Sequence, residues 1–135
     1  MRLKLAALVT GVGLLVTARP LLAHHAFMAE FDQTKPFTVT GVVTKIEWIN
    51  PHAYFYIDMR DSSGKVVNWT FETASPSALQ MRGWKRSSLN VGDTITVQGY
   101  HAKKSGSNRA AARSVLLSDG RKVFSGTMDD GGPDQ

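Results

Sequence analysis

The order of β-strand and helix signals constrains the fold of this chain more than any other feature. Three segments dense in β-branched and aromatic residues precede one helix signal, and two further segments follow it. We predict an all-β fold with one short helix, an OB-like five- or six-stranded Greek-key barrel whose helix lies between strands three and four. The alternative is a β-sandwich, which needs about seven strands and no helix. The predicted strands cover residues 36–48, 53–59, 65–72, 93–100 and 109–117, with a short additional strand at 121–124.

The helix signal covers residues 76–82. Ser75 is a suitable N-cap, and Pro76 suits the first helical position because proline lacks a backbone N–H. Gly83 can adopt the left-handed conformation that ends a helix. Alternation of apolar and polar residues along the strands, together with this helix, predicts the core: Val39, Phe55, Ile57, Val67, Trp69, Phe71, Leu79, Ile95 and Val97.

The first predicted strand changes its alternation at Gly41. Before this glycine, the apolar residues Phe37 and Val39 share one parity. After it, the apolar residues take the other parity: Val42, Ile46 and Trp48. A glycine at such a change is typical of a β-bulge or of a coiled strand that serves two sheets.

Residues 1–23 have the pattern of a secretory signal peptide. A basic start is followed by an uncharged apolar run of about 12 residues and a cleavage region that ends at Ala23. The run is shorter than the roughly 20 residues that span a bilayer, so we expect no transmembrane span in the mature protein. Cleavage after Ala23, which we favour over cleavage after Ala18, leaves His24 with a free amine. We therefore expect a periplasmic protein.

The remaining chain is long enough for one domain. We predict an N-terminal arm at 24–34, the barrel at 35–126 and a disordered acidic tail at 127–135. The chain has no cysteine, which excludes disulfides, thiolate metal sites and cysteine nucleophiles. Loss of the three basic residues of the signal peptide lowers the formal net charge from +5 to +2, which does not indicate a nucleic-acid partner.

Several strings of the sequence together resemble a family of small exported bacterial proteins of unknown function. They are HHAF, GVVTKIEWINPHAYFYID, the W-x-x-E of Trp69 to Glu72, SPSALQMRGWKR and RAAARSVLLSDGRKVF. The resemblance covers nearly all of residues 24–125, and the string from Trp48 to His52 is its most specific part. It implies a periplasmic one-domain protein with an OB-like barrel, and it supplies no catalytic residues.

Four histidines follow the predicted cleavage site: His24, His25, His52 and His101. Imidazole is the commonest side-chain metal ligand, and Cu(II) favours sites rich in nitrogen. An N-terminal His24 can bind copper through its amine and ring, and His52 or His101 would add another nitrogen. The alternative is structural: the histidine pair belongs to a soluble arm, and His52 holds the turn at Asn50-Pro51 by hydrogen bonds.

A second candidate site lies on the face opposite the core residues of strands two and three. Tyr54 and Tyr56 share this face, and Asn68 and Thr70 lie on the matching face of the next strand. Exposed tyrosines on these strands of an OB barrel can stack on a small ligand, a glycan or a periplasmic protein partner. The alternative is cross-strand pairing that stabilises the sheet.

The basic loop at 101–109 joins the last two long strands, at a usual ligand-binding position of this fold. It can meet acidic glycans, anionic lipid headgroups or a partner, although such a loop is also often just solvated. The sequence has no G-x-S-x-G, phosphate-loop or H-E-x-x-H motif, so we do not expect an enzyme. We predict a binding module, with copper binding as the alternative function.

Overall fold

The computed structural model of the chain describes residues 27–126, which form a helical turn at 27–30, six strands and one further short helix. The helix lies between the third and fourth strands, as predicted. In chain order the elements are β1 (Phe31–Glu47), β2 (Tyr54–Arg60), β3 (Val66–Glu72), α1 (Pro76–Met81), β4 (Thr94–Ala102), β5 (Arg109–Leu116) and β6 (Lys122–Phe124).

The strands close into a barrel. Their order in the sheet is β3-β2-β1-β4-β5-β6, and β3 also pairs with β5. This last pairing is parallel and joins Thr70–Glu72 to Arg109–Ala111, whereas the other pairings are antiparallel. Five strands therefore form a ring, and β6 extends β5 at its outer edge. This closure confirms the OB-like barrel and excludes a sandwich of two separate sheets.

In β1 the alternation of buried and exposed residues changes beyond Gly41, so the prediction that it changes at Gly41 was wrong. Val39, Gly41 and Val43 are all buried, while Val42 is 42% exposed. The pairing of β1 with β2 shifts between Val43 and Lys45, where the bulge occurs. Gly41 has a different role, because a Cβ atom there would lie 2.6 Å from the carbonyl oxygen of Asp58. The glycine permits the close approach of β1 and β2.

The predicted core is confirmed at seven of its nine positions. Val67 and Trp69 are half-buried, whereas the other seven residues are buried. The reason lies in the barrel closure: β5 pairs with β3 only from Thr70 onward, so the preceding part of β3 has no neighbouring strand on that side.

The helix closes one side of this core. The Ser75 hydroxyl accepts a hydrogen bond from the Ala78 N–H at 3.3 Å, and Leu79 is buried in the core. The Trp84 ring is also buried in this core, and its indole N–H donates to the Phe124 carbonyl at 2.9 Å. Met81 is 84% exposed, so only one face of this short helix packs.

The segment before the barrel packs on the outside of β4 and β5. Residues 27–30 form a helical turn, and the Phe27 and Phe31 rings lie 5.1 Å apart. Phe31 is buried with Tyr100 and Ala111 in a second small core. The first strand therefore begins at Phe31, inside the predicted arm, because this segment reaches β4 at Ala102.

The predicted signal peptide, the start of the arm with His24 and His25, and the acidic tail at 127–135 lie outside the described residues. Within residues 27–126, no helix is long and apolar enough to cross a membrane.

Candidate functional site

The four predicted ligand-binding residues lie on one outer face of β2 and β3. The strand register places Tyr56 beside Thr70 and places Tyr54, two residues away on the same strand, beside Glu72. Asn68 pairs with Asp58 at the other end of this row. Both tyrosines are half-exposed.

Tyr56 is engaged by two residues of β1. Its hydroxyl donates to Glu47 Oε2 at 2.6 Å, and Lys45 Nζ lies 2.7 Å from Glu47 Oε1. The same ammonium lies 5.0 Å from the centre of the Tyr56 ring. The hydrogen bond to Glu47 raises the pKa of Tyr56, and the bonds from Lys45 and Tyr56 lower the pKa of Glu47. These contacts connect Tyr56 of β2 to β1 across the outer face of the sheet.

Asn68 is similarly engaged. Its amide donates to Asp58 Oδ1 at 2.7 Å and to Thr44 Oγ1 at 3.2 Å. These bonds join β1, β2 and β3 across their outer face, as cross-strand polar pairs commonly do. Ligand binding on the face of Tyr54, Tyr56, Asn68 and Thr70 stays a prediction.

An ion cluster at the end of this face was not predicted. Arg109 Nη2 donates to Glu72 Oε2 at 2.6 Å, and Arg109 Nη1 lies 2.5 Å from Glu30 Oε1. Burial works against the charge of Arg109, but the two carboxylates outweigh it and raise the pKa of Arg109. Burial, followed by the nearby Glu72 charge, raises the pKa of Tyr54. Glu72, whose side chain is only 13% exposed, is the centre of the cluster.

His52 lies at the edge of the same cluster. Its Nδ1 is 3.0 Å from the Thr73 carbonyl oxygen, and its Nε2 is 3.7 Å from Glu72 Oε1. The Thr73 carbonyl is held in place because the N–H and hydroxyl of Thr73 both donate to Ala53, at 2.9 Å each. The ring orientation of His52 is therefore fixed by the β1–β2 loop and the end of β3.

His101 lies in a different environment. Its ring stacks on Phe37, with centroids 3.8 Å apart, and meets the Trp69 ring edge-on at 4.9 Å. Burial lowers the pKa of His101, so the ring is neutral at pH 7. Across residues 27–126, no group of three or more His, Cys, Asp or Glu side chains is placed to hold a metal ion.

An open cavity of about 430 Å³ lies where His101 and Trp69 meet the β4–β5 loop. Two aromatic side chains form part of its wall, and charged side chains of β1 and of the loop surround it. The charged residues are Asp32, Lys35, Lys103 and Lys104, and Ala102 and residues 105–108 complete the lining.

Sequence reasoning found the basic loop and His101 separately but missed this cavity. Trp69 was assigned to the core because of its position in the alternation, and its half-buried ring packs against the core and also lines the cavity. The Glu72–Arg109 pair was missed because the two residues are 37 positions apart. The parallel pairing of β3 with β5 brings them together.

Comparison with known proteins supports one part of the resemblance drawn from the sequence, a family of unknown function. No curated protein gives a significant match to this chain. A family profile matches residues 12–112, which include β1 to β4 and the first part of β5. The chain therefore belongs to DUF6152, a family of unknown function.

Proposed function

We propose that this protein is an exported, periplasmic binding module whose ligand is a short acidic saccharide. The observation that carries the proposal is the cavity at the β4–β5 loop, which combines an aromatic wall with a surplus of lysine. Some OB barrels bind oligosaccharides, and they use the loop between strands four and five to do so.

The aromatic wall suits a sugar ring. The Trp69 ring is held by Phe37, at 5.3 Å between centroids, and by the edge contact with His101. An indole held in one orientation offers a large flat surface at little entropic cost on binding. The apolar face of a pyranose can stack on such a surface.

The charge around the cavity favours an anion. Three lysines line it, and Asp32 is the one acidic residue in its lining. The hydrogen bond from Thr34 lowers the pKa of Asp32, and burial raises it by a smaller amount, so the carboxylate is ionised at pH 7. Its charge offsets that of Lys35, whose Nζ lies 3.8 Å from Asp32 Oδ2. Neutral His101 adds no charge. The cavity therefore carries a net positive charge that suits uronate or sulfate groups.

Binding is tested by calorimetric titration with a galacturonic acid trimer and, as the neutral control, a galactose trimer. We expect the acidic trimer to bind and the neutral one to bind more weakly, with the difference shrinking as salt is added. Removal of one nearby charge in water costs about 1 kcal/mol, so Lys104→Ala should raise the Kd about fivefold. Lys65→Ala, in the distant β2–β3 turn, is the matched control.

Two results would overturn the proposal. The first is equal affinity for the two trimers, because the lysines would then play no part. The second is loss of binding in the Tyr54→Ala/Tyr56→Ala double variant together with full binding in Lys104→Ala. That pattern would place the ligand on the β2–β3 face instead.

Export is tested separately. Residues 1–23 support it, because they have the basic, apolar and cleavage regions of a signal peptide. We expect periplasmic extracts of expressing cells to contain a chain whose mass corresponds to cleavage after Ala23. Recovery of the uncleaved chain from the cytoplasm would contradict this part of the proposal.

A further inference from the structure

We propose that the outer face of β4, β5 and β6 forms a second binding site, whose ligand is a phosphomonoester. The site is an open cavity of about 350 Å³. None of the residues that line it lines the saccharide cavity, and they are Gln98, Arg113, Ser114, Lys122 and Phe124. Three features support the proposal: the convergence of these side chains, the positive charge of the cavity, and its apolar wall.

The strand register brings three of the lining side chains into one row. Gln98 of β4 pairs with Ser114 of β5, which in turn pairs with Phe124 of β6. The adjacent row packs in the barrel core and consists of Val97, Val115 and Val123. Because successive side chains of a strand point to opposite faces, the row at Gln98 faces outward.

A β-bulge in β5 adds Arg113 to this row. The register of β4 and β5 shifts after Gln98, so that Arg113 is one extra residue on β5. A bulge interrupts the strict alternation of side chains and re-aims one of them. Arg113 therefore lines the same cavity as its neighbour Ser114, which a regular strand would not allow.

The charge of the cavity favours an anion. Arg113 and Lys122 both carry a positive charge, and no acidic residue of the described chain lines the cavity. Asp119, the acidic residue nearest to Lys122 in sequence, pairs with Arg121 instead, at 2.7 Å between side-chain atoms. A guanidinium can bind two phosphate oxygens at once, and an ammonium adds a second charge without that geometry.

Two neutral side chains add hydrogen-bond donors. Ser114 is only 8% exposed, so its hydroxyl needs a partner. The bond from this hydroxyl to Gln98 Oε1 is 3.4 Å long, whereas O–H···O bonds usually measure about 2.5–3.0 Å. A phosphate oxygen in the cavity would give the hydroxyl a closer acceptor. The Gln98 amide presents an NH₂ group as a further donor.

The size of the cavity and its apolar wall indicate an ester rather than free phosphate. Small-molecule sites commonly have volumes of about 300–1,000 Å³, so this cavity has room for an organic group beside the phosphate. Phe124 forms the apolar wall, and the Arg82 guanidinium lies 4.7 Å from the centre of its ring. The organic group of the ester can therefore contact an aromatic ring that is already held by a neighbour.

The main experiment is calorimetric titration with phenyl phosphate and with inorganic phosphate, at pH 7.5 in a phosphate-free buffer. We expect phenyl phosphate to bind more tightly, because its ring can contact Phe124. Weaker binding of phenyl phosphate than of inorganic phosphate, or equal binding, would overturn the assignment of an ester. Absence of binding by both at millimolar concentration would overturn the site altogether.

Substitutions of Arg113 test how the phosphate is held. Arg113→Ala should raise the Kd for phenyl phosphate about tenfold, because it removes a charge-assisted hydrogen-bonded pair. Arg113→Lys keeps the charge but loses the planar fork, so it should raise the Kd by a smaller but measurable factor. The matched control is Arg121→Ala, which removes the same charge beside Lys122 but outside the cavity lining and should stay within about twofold. Equal losses in Arg121→Ala and Arg113→Ala would overturn the proposal, since they would show unspecific attraction to positive charge.

A second measurement uses the unsubstituted protein and so does not depend on whether the variants fold. In ¹H–¹⁵N NMR spectra, phenyl phosphate should shift the backbone amide signals of Gln98, Ser114 and Phe124. The amide signals of residues 102–108 should stay in place, because they belong to the saccharide cavity. Shifts confined to residues 102–108 would overturn the proposal by placing the anion in the saccharide cavity.

Discussion

The Gly41→Ala substitution tests the packing of β1 on β2. The added Cβ atom would lie 2.6 Å from the Asp58 carbonyl oxygen and 3.2 Å from Ile57 Cδ1. Ordinary van der Waals contact begins at 3.4 Å, so the two strands must separate by about 0.8 Å at this point. The obstructing atom belongs to the backbone of β2, whose side chains Phe55 and Ile57 are buried in the core, and it cannot rotate away.

We expect this change to lower the free energy of unfolding by about 1–3 kcal/mol. Overpacked cores lose about 1–3 kcal/mol, and the reduced flexibility of alanine in the unfolded chain returns less than about 1 kcal/mol. The measurement is urea unfolding followed by tryptophan fluorescence, and in a domain of this size each 1 kcal/mol corresponds to roughly 4–8 °C in Tm.

Gly64→Ala is the control for this experiment. Gly64 has a positive φ of 82° and no atom within 4 Å of an added Cβ, so alanine there costs only backbone strain of about 1 kcal/mol. Gly41 has no such φ, and its cost is purely steric. A Gly41→Ala protein as stable as the unsubstituted chain would refute the close-approach explanation.

Three further outcomes are expected. Phe71→Ala removes a fully buried ring and should cost about 3–5 kcal/mol in urea unfolding, so a loss under 1 kcal/mol would contradict its core position. Tyr56→Phe deletes the hydroxyl that donates to Glu47 and should cost about 0.5–1.5 kcal/mol in the same assay. Because the pKa of Asp32 is lowered in the folded state, ionised Asp32 stabilises the fold at pH values above its ordinary pKa of 3.8. This stabilisation is lost as the pH falls through the lowered pKa. Thermal melts should therefore show a smaller acid-induced loss in Asp32→Asn, and equal losses would contradict this.

The order of the strands along the chain was predictable because apolar and polar residues alternate regularly in most of the strands. Phe55 and Ile57 in β2, and Ile95 and Val97 in β4, show the period of two, and all four are buried. The bulge in β1 was predicted at the wrong position because a glycine within a strand can mark either a bulge or a close approach of two strands. A glycine that permits close approach of two strands looks the same in sequence as a glycine in a bulge, and only the register separates Gly41 from the shift at Val43.

The start of β1 was less predictable for a physical reason. Residues 32–36 are polar or proline, so they carry no strand signal of their own. They are held in place by flanking contacts: Phe31 is buried in the small core beneath the arm, and the Lys103 N–H donates to the Glu30 carbonyl at 2.8 Å. Tertiary contacts therefore decide the conformation of this segment, and those contacts lie in β4 and its loop.

His52 and His101 were equivalent in the sequence analysis, because either could complete a copper site. The structure gives them different chemistry. His101 continues the inward parity of β4, so aromatic rings cover it and burial keeps it neutral. His52 lies in a loop, where Thr73 fixes one ring nitrogen and the other faces a carboxylate. Because these positions differ, His101→Ala should impair saccharide binding, whereas His52→Ala should leave it intact. Full saccharide binding in His101→Ala together with its loss in His52→Ala would contradict the placement of the ligand at the β4–β5 loop.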